Sequence, residues 1–514
     1  REERIMEEKI IKSSVFVNET VFNETCEQPI DVDFTLPDFC ADISKIFKCR
    51  AVSHISSKNL GGKVITIDGS VCITVIYCDE NGKLCSYEYQ YPFSKNLEMD
   101  EEASGANLTC HSKCDYINCR AVTGRKVDIH GAVSITVRVF KRKSTDIVSD
   151  IDDCNIEQRR GTAPATVPMG YSEKYITVEE DIGIGQGQPQ IGRILRYDAK
   201  PYVRESKIIN DKIVVKGDIS VWILYSPDGE GAEQCVKTVI PFSQIMDMEG
   251  VTDSCECDTG ADVAFLEIKP RNTDDGAKCF AFSAKLLITS EAYCGNDVAV
   301  LLDAFSRKFA ADFKRERICF NKICDNISEI FHCKKNIELD EPISSVIDLW
   351  CDIQSSSVKF EDGSMIINGT VLASVISCGS GGETLYFEKP IDFEYKYMLK
   401  GNTEGLHCTP EISISSCGYT IMSAETVELR IDLSINAAIY SSNNMPLITD
   451  VTVDENTPGV QSAKCAMTIY FTADGECVWD IAKHYNASVE EIMKINELDE
   501  ECLPEGKMLL IPAL

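Results

Sequence analysis

Basic residues are the first thing this sequence is short of. Its 514 residues hold 51 Lys and Arg against 82 Asp and Glu, a formal charge of -31. Phosphate backbones and anionic membranes are gripped by clustered Lys and Arg, so nucleic acid is excluded as a main partner. No run of 18 or more apolar residues occurs, so no helical membrane insertion is expected. The opening residues, REERIMEEKIIK, hold no apolar signal core, and the expectation is a cytosolic chain. Histidine is scarce: His54, His111, His130, His332, His407 and His484 lie in no H-x-x-x-H or H-E-x-x-H spacing. The G-x-S-x-G elbow and the phosphate-binding P-loop are missing too. The expectation is no enzyme: no catalytic, cofactor-binding or metal site.

Cysteine is plentiful, at 25 residues. The groups Cys110/Cys114/Cys119, Cys255/Cys257 and Cys319/Cys324 form no paired C-x-x-C knuckles, which argues against zinc. Many sit inside strand patterns, as Cys72 does in SVCITVIYC, where a reduced thiol acts as a small apolar residue. Core thiols are therefore expected, with disulfide formation on maturation as the alternative.

One pattern recurs three times. Its copies are Ile65, Ile67, Gly69, Val71, Ile73, Val75, Tyr77; then Ile213, Val215, Gly217, Ile219, Val221, Ile223, Tyr225; then Met365, Ile367, Gly369, Val371, Ala373, Val375, Ser377. Alternation of this length predicts a half-buried antiparallel strand, and its glycine a bulge or bend. Upstream lie the pairs Ile43/Ile46, Ile191/Ile194 and Ile343/Val346. The step from each first member to its glycine is 26 residues every time. The spacing of three after Pro37, Pro189 and Pro342 predicts a helical turn. Weaker second halves follow at 126–140, 279–293 and 426–440.

The expected fold class is mainly β, with three tandem β-sandwich-like repeats and a small terminal unit. The boundaries are 1–160, 161–308 and 309–445 for the repeats, 446–464 for a linker and 465–514 for the terminal unit. Linkers are expected near 157–170, 305–317 and 441–462. GSGG at 379–382 is expected to be a hairpin turn.

The tail reads strand, helix, helix, strand. Val478, Ile481, Ala482 and Tyr485 have helical spacing, and Ser488 with Glu491 forms a capping box before Val489, Ile492, Met493 and Ile495. Gly475-Glu476-Cys477-Val478-Trp479-Asp480-Ile481-Ala482, Ser488 to Ile492, Asn496, Pro504 to Lys507 and Leu510-Ile511-Pro512 resemble a LysM domain. That resemblance implies a βααβ module and affinity for N-acetylglucosamine polymers such as peptidoglycan. It places partner or glycan contacts at Asp474, Gly475, Glu476, Cys477, Val478, Trp479, Asn496, Leu498, Pro504 and Gly506. The sequence departs from the family where Cys477 replaces a threonine and Glu505 is inserted after Pro504. Ten acids against three lysines over 467–514 give this unit a formal charge of -7, favourable toward a basic protein surface.

The upstream units resemble the SPOCS repeat of clostridial sporulation proteins. SPOCS repeats with one terminal LysM imply a spore-coat morphogenetic scaffold in the mother-cell cytoplasm, at the forespore surface. The resemblance implies the basement-layer ATPase of the spore coat as partner of the LysM unit, with other coat proteins or self-association besides. The alternatives are a peptidoglycan-binding protein of the cortex or wall, and an enzyme with a cysteine nucleophile.

Overall fold

The computed structural model describes residues 10–458 and 467–512, apart from 186, 230, 273–277, 402 and 404. The fold is mainly β. The first repeat comprises β1 (Ile10–Thr35), β2 (Lys45–Gly61), β3 (Val64–Cys78), β4 (Leu84–Glu98), β5 (Asn107–Ala121) and β6 (Lys126–Ile151). The second comprises β7 (Ile156–Gly183), β8 (Ile191–Ile208), β9 (Lys212–Pro227), β10 (Gln234–Asp247), β11 (Glu256–Asn272) and β12 (Lys278–Ser306). The third comprises β13 (Phe309–Glu338), β14 (Ile343–Glu361), β15 (Ser364–Gly379), β16 (Thr384–Met398), β17 (Leu406–Cys408), β18 (Glu411–Ser423) and β19 (Thr426–Pro458). β20 (Met467–Phe471), α1 (Val478–Tyr485), α2 (Val489–Ile495) and β21 (Met508–Pro512) form the terminal unit.

Each repeat is a sandwich of two antiparallel sheets. In the first, β3 lies between β2 and β4, and β6 between β1 and β5. The second repeats this with β8-β9-β10 and β7-β12-β11. In the third, β15 lies between β14 and β16, and β19 between β13 and the pair β17 and β18. The apolar alternation of the central strands faces inward, as expected: Ile65, Ile67, Val71, Ile73 and Val75 are fully buried.

The mid-strand glycine has one cause in all three copies. Gly69, Gly217 and Gly369 stand opposite Phe93, Phe242 and Phe393, whose rings lie across them. A Cβ at Gly217 would sit 2.3 Å from the Phe242 ring and 2.4 Å from the Tyr202 carbonyl. The neighbouring strand bulges beside each glycine, at Ile55/Ser57, Val203/Glu205 and Ile353/Ser355.

The expected helical turns are not helices. Ile46, Ile194 and Val346 lie in β2, β8 and β14. Register shifts at Ile191/Arg193 and Ile343/Ser345 insert an extra residue, so positions three apart face the same core. GSGG at 379–382 does sit at the β15–β16 turn.

The expected linkers at 157–170, 305–317 and 441–462 also differ. Residues 10–20 pair with 140–151, 156–168 with 293–306, and 309–323 with 440–458. These are two-stranded ribbons running out of the sandwiches. Residues 446–458 of the expected 446–464 linker continue β19, while 459–464 lie outside the described residues. Pro164 and Pro168 suggested a loop, but the β7 part of its ribbon is an edge, where a missing N–H is tolerated.

The three ribbons pack on one another. Ile147, Val300 and Leu447 share one apolar cluster, and Val148, Leu301 and Ile448 another. The small sheets meet likewise: Ile76, Leu224 and Ile376, at the same register position of each repeat, share a cluster with Phe47, Leu195 and Ile347. Equivalent positions thus converge about a pseudo-threefold axis. Beside it, Arg196 holds buried Asp348 through Nε–Oδ2 and Nη2–Oδ1 contacts of 2.6 and 3.1 Å.

The cysteines are mostly free thiols. Among the described residues Cys255 and Cys294 are the exception, being disulfide-bonded between the segment before β11 and β12.

Candidate functional site

The terminal unit folds as its spacing predicts, with small differences. Ile481, Ala482, Ile492, Leu509 and Ile511 form its core with Val478 and Trp479. Ile495, expected on the inner face of α2, is exposed. Ser488 caps α2, its hydroxyl accepting from the Glu491 N–H at 3.4 Å. Cys477 precedes α1 in extended conformation and makes no capping bond; its thiol donates instead to Asp480 Oδ2 at 2.8 Å. Burial, with the Asp480 carboxylate beside it, pushes that thiol's pKa up.

The stretches leading into α1 (474–478) and after α2 (496–506), which hold nearly all the candidate residues, come together. Val478 N–H donates to the Glu501 carbonyl at 2.9 Å, and Leu503 N–H to the Glu476 carbonyl at 3.2 Å. Thr472 Oγ donates to the Pro504 carbonyl at 2.6 Å, and Gly506 N–H donates to the Thr472 carbonyl at 2.8 Å. The Glu476 carboxylate accepts from the Tyr470 hydroxyl and the Ala473 N–H, both at 2.8 Å.

Exposure divides the ten candidate residues. Asp474, Gly475, Pro504 and Gly506 are exposed; Glu476, Cys477, Asn496 and Leu498 are half-buried. Val478 is fully buried and Trp479 is 4 % exposed. The Asn496 side chain is committed internally: its amide donates to the carbonyls of Ile492 and Leu510 and accepts the Leu510 N–H.

Trp479 is covered by the second repeat. Its indole N–H donates to Asp303 Oδ2 at 2.8 Å, and its ring meets Phe305 edge-on at 5.2 Å. Lys483, one turn on, donates to the same carboxylate at 2.6 and 2.8 Å, and Arg315 of β13 reaches it as well. Partial burial raises the Asp303 pKa, but the bonds from Lys483 and Trp479 outweigh it and leave the carboxyl below its usual range. Asp303 and Phe305 lie on the β12 ribbon, a segment that sequence reading assigned to a boundary. Between α2 and the β7 ribbon runs an open groove of about 1130 Å³, lined by Trp479, Met493 and Leu498 on one wall and Arg159 and Arg160 on the other.

The outer face of the terminal sheet is apolar and bare. Met467, Ile469 and Phe471 of β20 and Met508 of β21 are 47, 61, 63 and 54 % exposed. Ile469 stands opposite Leu510, and Phe471 opposite Met508, so the four form one patch. The alternation in MTIYF is visible in the sequence; what the sequence missed is that its apolar set points outward.

Comparison with family models matches residues 42–137 and 190–270 to the SPOCS domain of SipL, and 473–512 to the LysM domain. The chain thus carries two SPOCS-type segments and one terminal LysM-type segment. The SPOCS matches fall on β2 to β6 and on β8 to β11. The third repeat lies outside them, yet shares their paired sheets and their Gly–Phe crossing at Gly369 and Phe393. No curated protein and no solved structure matches. The two families mark a sporulation-related protein with a module of the peptidoglycan-binding type. Among the described residues no helix is long and apolar enough to cross a membrane, and no group of three or more His, Cys, Asp or Glu is placed to hold a metal ion.

Proposed function

We propose that this SPOCS–LysM protein is a non-enzymatic scaffold of spore-coat assembly. It works at the forespore surface and docks the basement-layer ATPase of the coat through its LysM unit. The bare apolar patch of Met467, Ile469, Phe471 and Met508 carries this reading, because contiguous exposed apolar surface marks interaction sites. The unit's formal charge of -7 favours a partner whose apolar contact is rimmed by Lys and Arg. Trp479 and Val478 act from inside: they hold the module together and seat it on the second repeat.

The test is capture of the purified ATPase by the full chain carrying Ile469→Asp and Phe471→Asp. Both side chains are exposed, so the substitutions leave the core alone. Affinity is expected to fall about thirtyfold or more, as for loss of a central hot spot. Undiminished capture overturns the docking surface.

Peptidoglycan binding is the second reading. The LysM match and the groove beside Trp479 and Leu498 favour it. Cosedimentation of the full chain with purified peptidoglycan, lost on Leu498→Asp, supports it; a chain that stays in the supernatant rejects it.

A further inference from the structure

Two cysteines of the LysM unit face each other across its loops. Cys477 and Cys502 form an isolated antiparallel bridge, one from each loop. The hydrogen bonds of this bridge lie on the flanking residues: Val478 N–H to the Glu501 carbonyl, and Leu503 N–H to the Glu476 carbonyl. Cys477 and Cys502 are therefore a non-hydrogen-bonded pair. In such a pair the Cα atoms stand about 4.5 Å apart, and the Cβ atoms leave the same face of the ladder. That separation falls in the range a disulfide spans, so bond formation asks for no backbone movement.

Both thiols are free, Cys502 exposed and Cys477 half-buried. The roles are also divided. Cys502 meets solvent and an incoming oxidant. Cys477 sits behind it, with its S–H already donated to the Asp480 carboxylate at 2.8 Å.

We propose that Cys477 and Cys502 are an oxidation site that closes into a disulfide and clamps the two LysM loops. The oxidant is a small-molecule disulfide, RSSR. The Cys502 thiolate attacks one sulfur, forming a mixed disulfide and releasing RS⁻. The Cys477 thiol gives up its proton to water as its sulfur attacks Cys502 Sγ and expels the second RS⁻. The two thiol protons end on the two departing thiolates, so one RSSR becomes two RSH as the protein dithiol becomes a disulfide. The closed clamp ties the residue before α1 to the loop after α2, so those ends cannot part while the bond lasts. The clamp forms whether the unit grips a protein or a glycan.

The experiment uses the full chain, incubated with oxidised glutathione or with dithiothreitol, then alkylated, digested without reduction and read by mass spectrometry. The oxidised sample is expected to yield a peptide joining Cys477 to Cys502 in most chains, with slower amide exchange over 478–501. In Cys477→Ser, Cys502 is expected to hold glutathione permanently. In Asp480→Asn the carboxylate that helps hold the Cys477 thiol's pKa up is gone, so glutathione on Cys502 is expected to clear faster than in the wild type. That last readout separates a positioning role from a structural one. Oxidised chains in which both cysteines still alkylate, or in which Cys502 joins another cysteine instead, overturn the proposal.

Discussion

Asp303 is the joint between the LysM unit and the repeats, and removing it has a magnitude that follows from its partners. It accepts the Trp479 indole N–H at 2.8 Å and the Lys483 ammonium at 2.6 Å. Trp479 is 4 % exposed, so Asp303→Ala leaves a buried donor unmade, at about 1–3 kcal/mol. The Lys483 side chain is 39 % exposed, so water screens its pair to no more than about 1 kcal/mol. Together the substitution weakens seating of the LysM unit by about 1–4 kcal/mol, or roughly 5- to 800-fold. Asp303→Asn keeps an acceptor for the indole and removes the charge, so its cost is only the smaller of the two. The assay is amide exchange over 478–485 together with acrylamide quenching of tryptophan, since Trp222 and Trp350 stay buried in the repeats. The wild type is expected to be protected, Asn slightly less, and Ala clearly exposed. The same seat has a pH limit. The Asp303 carboxyl lies below its ordinary 3.8, so its contribution is full above that value and is lost as pH falls through the lower one. Equal exchange in all three proteins refutes the reasoning.

Two further outcomes test the repeats. Gly217→Ala places a methyl within 2.4 Å of the Tyr202 carbonyl, and backbone cannot yield, so the second repeat is expected to lose about 1–3 kcal/mol in denaturant unfolding. Adding Phe242→Ala removes the ring clash and leaves the carbonyl clash, so it is expected not to restore stability. Glu411 stays exposed at the edge of β18, yet desolvation by the chain around it and the carboxylates of Asp258 and Asp262 push its pKa up to about 7. Between 4.5 and 7 the folded state keeps a proton that the unfolded state has lost, so stability falls as pH rises through that window, by an amount that solvent screening of the exposed side chain keeps small. Glu411→Gln is expected to flatten that part of the profile in thermal melts at pH 5 to 8.

The strands were legible because burial on one face writes a period of two, and the LysM helices because their caps and spacing agree. The i, i+3 pairs misled because a bulge adds a residue to a strand and imitates a helical turn at Ile191 and Ile194. The ribbons misled through composition: Pro164, Pro168 and Pro446 are loop residues by habit and edge residues here. The third repeat's KPID (389–392) lacks the Pro-Phe pair of YPFS (91–94) and IPFS (240–243), yet Phe393 takes the place of Phe93 and Phe242 over the glycine. In MTIYF, alternation defines two faces without saying which is inside. Thr468 and Tyr470 face inward, and Thr472, bonded to the Pro504 carbonyl, is buried. Asp303 could not be read at all, since 176 residues separate it from Trp479 and neither position implies the other.

The choice of Asp303 itself follows from the pseudo-threefold design. Asp150, Asp303 and Asp450 occupy equivalent ribbon positions, next to the equivalent Ile151, Ala304 and Val451 that share one apolar cluster. Each pairs with a base on the following ribbon: Asp150 with Arg160 of β7, Asp303 with Arg315 of β13, and Asp450 with Lys12 of β1. The last pair closes the ring from third repeat back to first. Three carboxylates are thus offered to a LysM unit, and all three are already partnered, so charge does not choose among them. The residue two further along does. It is Asp152 in the first ribbon and Thr452 in the third, but Phe305 in the second. Only there does an aromatic ring meet the edge of Trp479 and join the LysM core. Apolar contact therefore selects the ribbon, and the carboxylate common to all three then orients the module through its indole and ammonium bonds.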